Sequence, residues 1–194
     1  KKGKLNALNE NLIIIENLVE RVHKIVAQLK HFSKPATMQL RPHPLSALLN
    51  NALMITHPQL KQDDVNVSAP QFSQEITVWV DALKFEQVLV NVITNASQAM
   101  KGEPVRELSF DVECFEERVK LSILDSGSGI EHHVLGSIFE PFYSTKSSNG
   151  LGLGLSISKQ IIESFNGYLT AHNRPEGGAQ FIISLSSIEA TKND

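Results

Sequence analysis

Three amide side chains recur at helical spacing within one otherwise apolar segment. Asn91, Asn95 and Gln98 are separated by four and three residues, so they share one stripe of the helix that the apolar pattern predicts over 81–100. Neutral amide oxygens suit a hard cation whose charge is already balanced by phosphates. An ordinary solvated helix face beside a buried one gives the same pattern, so both interpretations stay open at this point.

A carboxylate followed by glycines stands at the end of a predicted strand, in the string DSGSGI at 125–130. Asp125 could accept a hydrogen bond from an exocyclic amine such as that of adenine. Gly127 and Gly129 would let the backbone approach a flat ring closely. The same residues also form ordinary turns, so this string is weak evidence when taken alone.

A glycine-rich loop leads into the next predicted helix. Lys146 precedes the string NGLGLGL at 149–155, and the helix is predicted to begin near Ser156. Alternating glycines leave amides able to point at phosphate oxygens, and a helix N-terminus favours the same negative charge. The spacing is neither that of a P-loop nor that of a dinucleotide fingerprint. The alternative is a flexible loop that its leucines anchor.

The elements that must position these residues alternate between helix and strand. The predicted helices are a segment from 45 to near Pro58, then 81–100 and 156–165; the predicted strands are 65–67, 76–80, 108–112, 119–124 and a hairpin over 168–186 that turns at 174–178. Asp81 is placed to cap the second helix, whose predicted core face consists of Phe85, Val88, Leu89, Val92, Ile93 and Ala96. This order predicts an α+β protein built as a two-layer α/β sandwich.

A long amphipathic helix is predicted before these elements. Its apolar positions alternate steps of three and four, and they are Leu5, Leu8, Leu12, Ile15, Val19, Val22, Val26 and Leu29. A second apolar line beside this seam makes the stripe wider than a two-stranded zipper needs, which indicates a helical bundle. A surface helix folded back on its own domain is the alternative. Pro35 ends the helix, and 35–44 is predicted to be a linker.

Composition excludes several classes of protein. The 194 residues carry a net charge of −3, with seven Lys and Arg against three Glu in 1–34, so the remainder is acidic and a nucleic-acid-binding domain is disfavoured. Cys114 is the only cysteine, which excludes an internal disulfide and a multi-cysteine zinc site. The longest apolar run has four residues, so no membrane span is predicted, and a reducing cytosolic setting is expected.

The three strings occur together with a fourth in one order. These are QVLVNVITNASQAM at 87–100, DSGSGI at 125–130, FEPFYSTK at 139–146 and GLGLGL at 150–155. They resemble the N, G1, F and G2 boxes of the nucleotide-binding domain of sensor histidine kinases, within the wider family shared with gyrase, Hsp90 and MutL ATPases. The resemblance covers about residues 40–186, and in detail the chain is similar to the C4-dicarboxylate transport sensor kinases.

The resemblance implies a mixed-sheet ATP-binding fold of the Bergerat (GHKL) type over 45–188, with a short tail at 189–194. Residues 1–34 would be the second helix of the dimerisation hairpin. The first helix, with its phosphoacceptor His, would lie outside this sequence, because none of His23, His31 and His43 has the Glu or Asp that follows that histidine in the family.

The resemblance also implies roles for individual residues. Asn95 would bind Mg²⁺, Asn91 would lie beside the phosphates, Asp125 would accept from the adenine amine, and residues 131–149 would form a mobile lid. The positions implied to contact ATP are Asn91, Asn95, Gln98, Asp125, Gly127, Gly129, Ile130, Phe139, Lys146, Gly150, Leu151, Gly152, Leu153, Gly154 and Leu155, of which Asn91 and Lys146 would be catalytic.

The implied activity is transfer of the ATP γ-phosphoryl group to a histidine and then to an Asp of a response regulator. The related ATPases place Glu at position 91 to activate water, whereas an Asn amide takes up no proton, which favours a kinase over a hydrolase. A homodimer, the chain's own phosphoacceptor helix and a response regulator are the expected partners, and a cytoplasmic domain of an inner-membrane sensor is the expected setting. A GHKL-type ATPase and a catalytically silent nucleotide-binding scaffold are the alternatives.

Overall fold

The computed structural model describes residues 38–70, 72, 74–115, 117–143 and 152–189, together with Val19. Residues Gln39–Asp194 form one compact unit. The predicted bundle helix lies outside the described residues except for Val19, which is helical. Lys146, Gly150 and Leu151 of the predicted site also lie outside them.

Seven strands in the described residues form one sheet. They are β1 (Arg41–Pro44), β2 (Asn66–Ser68), β3 (Ile76–Val80), β4 (Glu107–Phe115), β5 (Arg118–Asp125), β6 (Tyr168–Asn173) and β7 (Ala179–Glu189). Their order is β1-β3-β7-β5-β4-β2, and β6 also pairs with β7. Only the β2–β4 pair is parallel among these pairings, so the sheet is mixed, as predicted.

Three helices in the described residues complete the fold: α1 (Leu45–Gln62), α2 (Ala82–Ala99) and α3 (Gly154–Ser164). Alternate residues of the central strands are buried, as a sheet with one covered face requires: Val119, Leu121, Ile123 and Asp125 in β5, and Ala179, Phe181, Ile183 and Leu185 in β7. The apolar faces of the helices join these side chains in a single core. The predicted α+β sandwich is therefore confirmed.

The helix that carries the amide stripe forms as its sequence predicts. Asp81 caps it, since its Oδ1 accepts a hydrogen bond from the backbone N–H of Lys84 at 3.3 Å. Its predicted core face is buried in full. Burial of that face fixes the rotation of α2, and the amide stripe is thereby turned away from the centre of the core.

Two predictions about the region before β3 are wrong. Residues 41–44, predicted to be linker, form β1 and pair with β3, with His43 opposite Val78. The first helix does not end near Pro58, because α1 continues to Gln62. Pro58 and Met54, whose carbonyl loses its helical partner, are both exposed, while the buried Thr56 and Leu60 hold the helix to the core.

The end of the chain follows the prediction closely. After α3, Asn166 adopts a left-handed φ of 56° and the N–H of Gly167 bonds the carbonyl of Ile162 at 2.9 Å, which closes the helix end. β6 and β7 then form the predicted hairpin. Residue 189, predicted to begin the tail, still belongs to β7.

Candidate functional site

Asp125 is the buried carboxylate at the end of β5. Its side chain is only 1% exposed, and Oδ1 accepts hydrogen bonds from the backbone N–H groups of Gly127 at 2.9 Å and Ala179 at 3.2 Å. Burial raises the pKa of Asp125, and the two backbone bonds and the Arg174 guanidinium oppose that rise. The result is a carboxyl group of fixed orientation, which can accept one further donor through Oδ2.

The loop after Asp125 is shaped by atoms of the protein itself. A Cβ on Gly127 would lie 2.7 Å from the carbonyl oxygen of Ala99, to which the N–H of Ser128 also donates. A Cβ on Gly129 would lie 3.0 Å from Oδ1 of Asn173. The sequence suggests that these glycines leave room for a flat ring. The structure shows that their missing Cβ atoms leave room for the carbonyl of Ala99 at the end of α2 and for the side chain of Asn173 at the end of β6. Ile130, at the end of the loop, is half-buried against the core.

The amide stripe of α2 meets the beginning of α3. Nδ2 of Asn91 donates to Oγ of the buried Ser158 at 2.9 Å. A Cβ on Gly154 would lie 2.5 Å from Oδ1 of Asn91, so only glycine leaves room for this amide. Asn95 is half-buried one turn further along α2, and Gln98 is exposed. The structure therefore brings Asn91 to the first turn of α3, and Asn95 and Gln98 follow on the same face of α2.

Leu153 stands at the N-cap of α3. Its side chain is in the core, so the residue can meet a ligand only through its backbone. Leu155 is half-buried against the same core. The side chain of Leu153 cannot cap this helix end, and the first amides of α3 lie at the positive end of the helix dipole. This helix end is suited to an anion.

The turns over 132–142 connect the Asp125 loop with residues 144–151, which lie outside the described residues. Phe139 packs half-buried on the core, and Nζ of Lys159 lies 5.6 Å from the centre of its ring. Gly152 has a φ of +66°, and a Cβ there would overlap the carbonyl of Tyr143. The chain therefore returns at Gly152 to the point that it left at Tyr143.

The described part of the site offers a metal ion amide oxygens rather than a cluster of acidic or imidazole ligands. Among the residues that the structure describes, no group of three His, Cys, Asp or Glu side chains could hold an ion. Asn95 offers a hard amide oxygen, and a ligand's phosphates would have to supply the rest.

Known proteins are similar to this chain in sequence and in fold. The family described as the histidine kinase-, DNA gyrase B- and HSP90-like ATPases matches residues 80–188, more than half of the chain. The chain belongs to this family. Its domain is the ATP-binding domain of sensor histidine kinases, as the four boxes predicted.

The curated relatives of this ATP-binding domain are sensor proteins. The two-component sensor PprA of Pseudomonas aeruginosa is 36% identical over 184 residues, covering 92% of this chain and 20% of that protein. The C4-dicarboxylate transport sensor protein DctS of Rhodobacter capsulatus is 34% identical over 167 residues, covering 85% of this chain and 25% of that protein. The chain thus spans about a fifth to a quarter of these relatives.

A solved structure of similar fold is the catalytic domain of histidine kinase ThkA. It has a TM-score of 0.70 at 26% identity, and the match covers 77% of this chain and 96% of that domain. This likeness confirms the predicted fold class.

None of the helices in the described part of the chain combines the length and the hydropathy that a membrane span needs.

Sequence reasoning missed several residues of this ATP-binding domain. Ser158 holds Asn91, and Asn173 and Arg174 hold the loop after Asp125. A buried serine on a helix carried no signal, because only the α2–α3 contact gives it a partner. The string at 174–178 predicts a hairpin turn, and the polar residues Asn173 and Arg174 before its proline were the signal available.

Proposed function

We propose that this domain binds ATP with Mg²⁺ and that, in the intact sensor protein, it donates the γ-phosphoryl group to a histidine on a separate helix. The observation that carries the proposal is the contact of Asn91 with Ser158 and Gly154 at the start of α3. An amide held beside a helix N-terminus would provide a phosphate site on two rigid elements.

The adenine end of the ligand belongs at Asp125. Oδ1 is engaged by two backbone donors, and Oδ2 is the oxygen assigned to the exocyclic amine of the base. The phosphate chain then extends towards Asn91 and the N-terminus of α3. Lys146 and the amides near Gly150 would complete the phosphate contacts in the lid.

The chemistry of the donors fits Mg²⁺ at Asn95. Its amide oxygen lies one helical turn after Asn91 on the same stripe, and no carboxylate cluster competes for the ion within the described part of the chain. When bound, the ion neutralises charge on the phosphates. The protein's own residues would orient the phosphate chain, and Asn91 would provide no base to activate water.

A kinase is favoured over a hydrolase by the group at position 91. The Asn91 amide takes up no proton, and Nδ2 donates to Ser158. Phosphoryl transfer to a neutral imidazole needs no general base on this domain, because the ring nitrogen is itself the nucleophile. The domain would therefore hold ATP without hydrolysing it until an acceptor histidine arrives.

The partners follow from the same proposal. They are the protein's own phosphoacceptor helix within a homodimer, and a response regulator that takes the phosphoryl group onto an Asp. A structure of ThkA in complex with response regulator protein TrrA supports the response-regulator partner, with a TM-score of 0.74 at 25% identity over 89% of this chain and 49% of that one. We further propose that the domain lies on the cytoplasmic side of a sensor whose membrane attachment is elsewhere in the protein.

A titration with a transfer assay tests the proposal. A nonhydrolysable ATP analogue is titrated by calorimetry with and without Mg²⁺, and labelled ATP is then offered with a separately supplied phosphoacceptor hairpin. Binding followed by labelling of the hairpin supports a kinase domain. Binding without labelling would indicate a silent scaffold. Steady phosphate release that survives Asn91→Ala but is lost in Asn95→Ala would indicate an ATPase.

A further inference from the structure

The loop after Asp125 is held by the β6–β7 hairpin through a pair of hydrogen bonds from one side chain. Oδ1 of Asn173 accepts from the backbone N–H of Ile130 at 2.7 Å, and its Nδ2 donates to the carbonyl of the same residue at 2.6 Å. A carboxamide carries the same donor and acceptor as a peptide group. The side chain of Asn173, the last residue of β6, therefore pairs with Ile130 as the backbone of an antiparallel strand residue would.

This pairing fixes the backbone on both sides of Ile130. Gly129 before it has a φ of +75°, which a side chain would strain, and its missing Cβ is the space that Oδ1 of Asn173 approaches. With both polar groups of Ile130 engaged by one rigid amide, the peptide planes of the loop cannot rotate independently.

The same hairpin holds the other end of the loop. Nη1 of Arg174 donates to the carbonyl of Asp125 at 2.8 Å, and Nη2 pairs with Oε1 of Glu176 at 2.7 Å. The Arg174 guanidinium lowers the pKa of Glu176, which keeps the pair charged. The N–H of Ala179 bonds Oδ1 of Asp125. The hairpin thus contacts both ends of the loop: Arg174 and Ala179 bond Asp125 at its beginning, and Asn173 bonds Ile130 at its end.

We propose that Asn173 is a positioning residue for the adenine pocket, because it sets the loop at 126–130 against which the base would lie. This inference rests on the proposed ATP site. The side-chain amide of Asn173 bonds the backbone of the loop, whereas its own backbone pairs with Ala179 in the hairpin. Removing the side-chain amide should therefore increase the mobility of the loop while leaving the pairing of β6 with β7 intact.

The test compares Asn173→Ala and Asn173→Asp with the native domain. Aspartate keeps the shape and the acceptor but lacks the donor, and it places negative charge against the carbonyl of Ile130. His172→Ala is the matched control, since His172 is the exposed neighbour on the opposite face of β6. Calorimetry with Mg²⁺ gives the affinities for ADP and for inorganic triphosphate, and thermal unfolding is recorded for each variant.

We expect both Asn173 variants to bind ADP about tenfold more weakly, the loss that one to two hydrogen bonds predict. Affinity for inorganic triphosphate should stay at the native value, because the phosphate site is on α2 and α3. His172→Ala should match the native domain in both. Equal loss of ADP and triphosphate, or no loss of ADP, would overturn the inference.

Amide hydrogen exchange at Ile130 gives a second readout that needs no nucleotide. Its N–H should be protected in the native domain and exchange at least about tenfold faster in Asn173→Ala. Unchanged exchange overturns the positioning role even if every affinity falls. If the native domain binds no nucleotide while Ile130 loses protection in the variant, the ATP site fails as proposed, and the pocket role of Asn173 fails with it.

Discussion

Nδ2 of Asn91 donates to Oγ of Ser158 across 2.9 Å, and this bond joins α2 to α3 at the proposed phosphate site. Ser158 is 2% exposed, so water cannot replace the hydroxyl easily once it is removed. The bond fixes the orientation of the Asn91 amide group beside the proposed phosphate site. Ser158 is therefore as much a part of the site's geometry as the asparagine that it holds.

Ser158→Ala should weaken binding of the ATP analogue about three- to tenfold, because the Asn91 amide loses its orienting partner at a cost of about 1 kcal/mol. Calorimetry measures the loss. Ser156→Ala is the matched control, since this buried serine on the same helix donates to the carbonyl of Leu153 and not to Asn91. Equal losses of affinity in the two variants would contradict an orienting role for Ser158.

Asn95→Ala should remove the dependence of nucleotide affinity on Mg²⁺. The half-buried amide is the proposed protein ligand for the ion, so its loss leaves only the phosphates to hold the metal. Titrations with Mg²⁺ and with a chelator should give the same affinity in the variant and different ones in the native domain. Asn51→Ala, which removes an exposed bond to Glu86 on another part of the fold, should keep the native dependence.

Asp125→Asn should weaken ATP-analogue binding by about 10- to 100-fold and leave GTP-analogue binding at its already weak level. The amide keeps an oxygen for Gly127 and Ala179, but it replaces the second acceptor by a donor that faces the adenine amine. Guanine has no amine at that position. Parallel calorimetric titrations decide, and equal losses for both nucleotides would remove Asp125 from the base site.

The same variant should be more stable than the native domain at neutral pH. Burial raises the pKa of Asp125 above its ordinary 3.8, so the folded state takes up its proton at a higher pH than the unfolded state. Stability therefore decreases with rising pH through that interval, and an ionised Asp125 costs stability above it. Urea unfolding should show the advantage of Asp125→Asn shrinking as pH falls through the raised pKa towards 3.8. A constant difference would contradict the linkage.

Gly152→Ala should reduce nucleotide affinity about tenfold or more with little change in the unfolding midpoint. Alanine adds both the cost of a left-handed φ and an overlap with Tyr143, and the predicted lid can relieve them only by opening at its base. Gly102→Ala is the control, because Gly102 has a φ of +92° and nothing within 4 Å of its missing Cβ. It should cost about 1 kcal/mol of stability without affecting affinity.

The helix that carries Asn91 and Asn95 could be predicted from the sequence because its information is local. Asp81, the spacing of Phe85 to Ala96 and the amide stripe all lie within one 18-residue segment. The hairpin β6–β7 was similarly accessible, since its turn residues lie between its strands. The residues that the apolar pattern predicts to be buried in the helix are buried, and the two predicted strands of the hairpin pair with each other.

The predictions that failed or were missed concern partners distant in sequence. Residues 41–44 contain two prolines and resemble a linker, yet they form β1 because the edge of β3 is available to them. Pro58 is tolerated because the surrounding core decides which face of α1 is exposed. Ser158 and Asn173 acquire their roles only when α3 meets α2 and when the hairpin meets the Asp125 loop.

The two-sided pairing of β7 has a consequence for the order in which the protein folds. On one edge β7 pairs with β5, while on the other its first half pairs with β6 and its last residues, opposite 76–78, pair with β3. Among the described strands, β1 and β3, which are synthesised early, are thus joined to the rest of the sheet only through β7. Such distant pairings form slowly, so one edge of β3 stays unpaired until β7 has been synthesised.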